Sequence, residues 1–101
     1  MSALPEVLAE LFRRRLAIVE EIRRLNAGQL RLQQAAAGLD FVLMADDAAE
    51  GGAADTADGR ARRVALVAEA DETAVRLAAC EAEIEQWQGR LDEVDRLIGA
   101  A

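Results

Sequence analysis

The sequence predicts an all-α protein: two long helices forming an antiparallel coiled-coil hairpin, expected to be oligomeric as a four-helix bundle or a ring of hairpins. Three observations predict it. The first is a strict 4-3 alternation along Leu4, Leu8, Leu11, Arg15, Ile18, Ile22, Leu25, Gln29, Leu32, Ala36, Leu39 and Leu43, the signature of a helix with a coiled-coil seam. The second is the same alternation counted back along Ile98, Val94, Leu91, Trp87, Ile84, Cys80, Leu77, Thr73, Ala70, Leu66 and Arg63. The third is composition. Hydrophobic residues make up 52% of the chain, but rings are limited to Phe12, Phe41 and Trp87. A core of alanine and leucine suits close helix packing, whereas a sheet wants β-branched and aromatic side chains.

The 101 residues read as one helical-hairpin domain, 1–101, with helix 1 over about 3–44, an acidic flexible loop over about 45–58, and helix 2 over about 59–98. Ser2 is a candidate N-cap. Pro5 falls in the first turn, where a missing amide proton costs little, and Glu6 complements the positive end of the helix dipole. Gly28 and Gly38 lie off the seam, and the heptad phase is unchanged across both, so one helix is expected with a soft point near Asn26–Gly28. Between Ala45 and Gly59 the periodicity stops. Alanine, aspartate and the Gly51-Gly52 pair dominate there, the composition of a solvated linker. Helix 2 is expected to be capped by a side chain within Asp55–Asp58 and ended by Gly99-Ala100-Ala101.

Laid antiparallel, the two seams suggest a register in which Leu4 faces Ile98, Arg15 faces Trp87, Ile22 faces Cys80, Leu25 faces Leu77, and Leu39 faces Arg63. This register places Gln29 beside Thr73, so two polar groups that would each cost roughly 1–3 kcal/mol if buried alone satisfy each other. It also lets the Arg15 guanidinium lie on the Trp87 ring.

Apolar surface is left over. Phe12, Leu16 and Val19 on helix 1, and Val64, Val75 and Ala78 on helix 2, lie outside the seam. A two-helix rod has poor surface-to-volume economy, so these six residues are the expected oligomer interface.

The net charge is −7, and all twelve basic residues are arginine. Arg13, Arg24 and Arg31 on helix 1, with Arg60, Arg62 and Arg63 at the start of helix 2, are the candidate contacts to an anion or nucleic acid. A net acidic chain does not favour that contact, because nonspecific binding depends on phosphate neutralisation. Glu10 precedes Arg14 by four residues and Glu20 precedes Arg24 by four, the favoured order for pairs within one helix. The absence of histidine argues against Ser-His and Cys-His catalysis and against a Glu-x-x-His metal site. The Glu81, Glu83, Glu85, Asp92, Glu93 and Asp95 cluster lacks calcium-loop spacing, and Gly51-Gly52 is not followed by Lys-Ser/Thr. Lone Cys80 reads as a small seam hydrophobe. No catalytic, cofactor or metal residue is therefore expected, nor a small-molecule substrate. No run approaches the ~18 apolar residues of a membrane span, and a cytoplasmic location is the expectation.

Trp87-Gln88-Gly89 spells W-x-G, and a helical hairpin of this length resembles the small WXG-type secreted effectors; that family carries its W-x-G in the turn between helices, whereas here it lies deep in helix 2. In shape, the chain is also similar to the oligomerisation core of phage-type small terminase subunits, which would imply a ring contacting DNA through arginine strips. It is similar too to small helical secretion chaperones, which would imply a helical protein partner. From the residues themselves, the expected function is a non-enzymatic assembly or adaptor subunit. It would recognise itself, and another helical protein, through helix faces.

Overall fold

The computed structural model describes residues 3–48 and 56–101. Two α-helices account for nearly all of them: α1, Leu4–Ala48, and α2, Ala57–Ala100. The fold class is an all-α helical hairpin. The helices divide between two compact units, Met1–Gly28 with Cys80–Ala101, and Gln29–Ala79.

The helix ends follow from local chemistry. The carbonyl of Ala3 accepts the first helical bond from the Val7 amide at 3.0 Å, which places the N-cap at Ala3; Ser2 lies outside the described residues. Helix α1 runs to Ala48 rather than stopping near 44. Its last turn is held by Arg63, whose guanidinium lies 2.5 Å from Asp47 and 3.5 Å from Asp46. Thr56 caps α2, its Oγ1 accepting from the Gly59 amide at 2.9 Å. Capping at Thr56 starts α2 two residues before the expected 59, leaving Gly59 in its first turn. At the far end α2 passes through Gly99 and closes on an Ala101 amide bond to the Ile98 carbonyl. The Gly51-Gly52 pair, Glu50 and Asp55 of the expected loop lie outside the described residues.

Burial follows both predicted seams. Leu11, Ile18 and Leu25 are the buried residues of α1, and Thr73, Ile84 and Val94 those of α2. Leu8, Ile22, Leu32, Ala36, Leu39 and Leu43 are half-buried on the same line. Among the described residues, no large side chain is wholly buried. Two helices alone make a thin core.

The register differs from the expected one. In the unit built from Met1–Gly28 and Cys80–Ala101, the Cys80 thiol donates to the Leu25 carbonyl at 3.4 Å, and Arg15 Nε donates to Asp95 Oδ1 at 2.7 Å. In the Gln29–Ala79 unit, Arg63 meets Asp46 and Asp47, not Leu39. Each contact is displaced in the same direction and fits a pairing one heptad along, with Leu25 opposite Ile84 and Ile18 opposite Leu91. Leu4 agrees: it would be covered by Ile98 in the expected register, yet it is 47% exposed, while Leu11 is buried. A slip of a whole heptad keeps every seam position facing the seam, so hydrophobic pattern alone does not resist it.

The expected polar layer does not pin the pairing either. Thr73 Oγ1 donates to the Glu69 carbonyl of its own helix at 2.8 Å, the back-bond open to threonine inside a helix. Its buried hydroxyl is satisfied without Gln29. The expected Arg15–Trp87 stacking is likewise replaced. Arg15 takes a charge-assisted bond to Asp95, and Arg90, one turn along α2, covers the Trp87 ring at 4.4 Å from its centroid.

Candidate functional site

Labelling the seam a and d sorts every other position by flank. In an antiparallel pair the e side of one helix lies beside the e side of the other, and g beside g. Eleven large apolar side chains are exposed among the described residues; Leu4, Val7 and Leu97 belong to end turns. The other eight (Phe12, Leu16, Leu30, Phe41, Met44, Val64, Val67 and Val75) all occupy b, e or f positions. None falls on c or g. Those positions carry instead Glu10, Arg14, Glu21, Arg24 and Arg31 of α1, and Arg62, Glu69, Glu72, Arg76, Glu83, Arg90 and Glu93 of α2, interspersed with alanine, glycine and half-buried Val42. The b, e and f positions hold these apolar side chains among charges of their own, such as Arg23, Asp40, Arg60, Asp71, Glu81 and Asp92, and Val7 and Leu97 of the end turns fall on g.

All six residues expected at an oligomer interface occupy b, e or f positions of their helices. Phe12 at 55%, Leu16, Val64, Val75 and Ala78 are exposed, and Val19 is half-buried. In the unit containing the termini, these positions carry large apolar side chains on α1 only, through Phe12, Leu16 and Val19; the matching positions of α2 hold Glu81, Glu85, Asp92 and Asp95. In the Gln29–Ala79 unit both helices contribute: Leu30, Phe41 and Met44 from α1, and Val64, Val67, Val75 and Ala78 from α2. Phe41, Met44 and Val67 were not singled out by the sequence, because no short apolar line passes through them. Their heptad positions were the available signal.

The candidate anion contacts divide. Arg13 donates to Glu10 Oε2 through Nη2 at 3.0 Å and through Nε at 3.2 Å. Arg14 lies 3.7 Å from the same carboxylate. Arg24 pairs with Glu21, one turn before it, rather than with the expected Glu20. The guanidinium holds the Glu21 carboxyl below the ordinary carboxylate range, and the Arg24 pKa is raised in return. Arg63 is committed to Asp46 and Asp47. Arg31 and Arg62 make no ion pair among the described residues; Arg60 has an interaction within the chain. Exposed pairs of this kind add little to stability, but each reduces the charge an arginine offers to a phosphate.

Nothing else gathers into a chemical site. A trough of about 390 Å³ runs beside Ala3, Glu6, Val7, Glu10, Leu11 and Arg14. It is lined by α1 alone, where the one-heptad slip leaves the first turns uncovered. Among the described residues no group of carboxylates and Cys80 is arranged to hold a metal ion, and Glu93 and Asp95 of the acidic cluster are bound to Arg96 and Arg15. No described helix is long and apolar enough to cross a membrane. Against known proteins, no family model, curated protein or solved structure matches the chain.

Proposed function

We propose that this chain is a non-enzymatic assembly or adaptor subunit that works by self-association and helix-face recognition. The observation that carries the reading is the density of exposed apolar side chains in the Gln29–Ala79 unit, where Leu30, Phe41, Met44, Val64, Val67 and Val75 are all open. Scattered singly, exposed leucines and valines need no explanation; gathered in one unit, they mark a surface awaiting a partner. The thin core points the same way, since a hairpin with no wholly buried large side chain among its described residues gains most by covering a second face. The charged side chains around them supply solubility and orientation.

A DNA-packaging role is the weaker reading, because Arg13, Arg24 and Arg63 already face carboxylates and the chain is acidic overall. Native mass measurement over a concentration series tests the preferred reading. The wild type is expected above monomer mass. Val64→Asp places a carboxylate among the exposed apolar side chains and is expected to lower that mass while far-ultraviolet circular dichroism stays helical. A wild type that remains monomeric throughout removes the proposal, and an unchanged mass for Val64→Asp removes that residue from the interface.

A further inference from the structure

Along the outer side of α2, Arg60, Val64, Val67 and Asp71 repeat at 4-3-4 spacing on e, b, e and b positions. This short line is a second seam. Read backwards it exchanges valine for valine and arginine for aspartate. Two copies of the segment laid antiparallel therefore set Val64 against Val67 of the second copy, and Arg60 against Asp71 of the second copy, twice over. Laid parallel and in register, they would set like charge on like charge.

The neighbouring helix completes the face. The Arg63 bridge to Asp46 and Asp47 brings the last turns of α1 level with Val64 and Val67, so Met44 joins the line at a b position, with Asp40 and Asp47 at the e positions beside it. Met44 and Val64 are each 70% exposed.

We propose that the Gln29–Ala79 units of two copies pair through this face about a two-fold axis between Val64 and Val67, giving a closed dimer. The second copy is the occupant because the line is complementary to itself. Closure at two follows from one-sidedness: a ring needs two different complementary faces, whereas a single self-complementary face closes on a two-fold, and the opposite side of this unit presents Arg31, Arg62, Glu69, Glu72 and Arg76. The inference rests on the self-association reading and specifies its geometry.

A charge-swap pair tests it by sedimentation equilibrium and native mass spectrometry. The wild type is expected as a two-copy species. Arg60→Asp alone sets carboxylate against carboxylate at both ends, and Asp71→Arg alone sets guanidinium against guanidinium; each is expected to weaken association roughly tenfold. In a mixed dimer of the two variants each end sets one carboxylate against one guanidinium. The double variant Arg60→Asp/Asp71→Arg achieves the same within one chain: it reverses both charges, restores opposite signs at both ends, and is expected to return to near wild-type affinity. General misfolding, or loss of an intrachain Arg60 contact, does not produce that recovery. A double variant no better associated than the single ones overturns the inference, as does a wild type that closes at more than two copies; the self-association reading survives both. A wild type that never associates overturns both.

Discussion

Leu25 and Leu30 carry the same side chain on the same helix, and the fold assigns them opposite work. Leu25 is 6% exposed and Leu30 is 55% exposed. Replacing each by alanine changes helix propensity little, since both residue types are strong helix formers, so the comparison isolates burial. For Leu25→Ala the expected loss is about 3 kcal/mol, near the low end of the buried-leucine range because a two-helix core can partly collapse onto the gap. For a chain of this size that corresponds to a fall of roughly 12–24 °C in Tm. Leu30→Ala is expected to change the unassembled chain by no more than about 0.5 kcal/mol, as for surface substitutions generally. Urea unfolding followed by circular dichroism reads both quantities. Equal losses at the two sites would refute the partition into seam and outer face.

Thr73→Val removes a hydroxyl that donates to the Glu69 carbonyl one turn earlier; that carbonyl keeps its own helical amide, so the stability change should stay under about 1 kcal/mol, and a larger loss in urea unfolding would restore a cross-helix polar layer with Gln29. Glu21, whose carboxyl is held below the ordinary range by Arg24, contributes stability above the unfolded carboxylate pKa and loses it as pH falls through the depressed folded value. Thermal unfolding from neutral into acid pH should therefore drop less steeply for Glu21→Gln than for wild type, and identical slopes would count against the pair.

Legibility varied with the kind of information each feature carries. The seam positions were readable residue by residue, down to buried Leu11, Ile18, Leu25, Ile84 and Val94, because burial of a helical stripe follows from periodicity within one segment. The helix ends were less so. Asp46 and Asp47 look like linker residues until Arg63 is brought beside them, and Thr56 is one of several polar residues that could cap α2. Of the outer face, Phe12, Leu16 and Val64 stood out as short apolar lines. Met44 did not, since what groups it with Val64 is the neighbouring helix.

By itself, then, the order of residues determined that there are two helices and which stripe of each turns inward. The pairing of one stripe with the other was decided only in three dimensions. Sliding by a heptad exchanges one apolar residue for another at most layers of the seam, so the hydrophobic energies of the alternatives are close. The choice passes to features without a local signature: Arg15 finding Asp95, Arg63 finding Asp46 and Asp47, and the Cys80 thiol meeting the Leu25 carbonyl. The polar pair that could have overruled them was silent because the Thr73 hydroxyl is already satisfied inside its own helix.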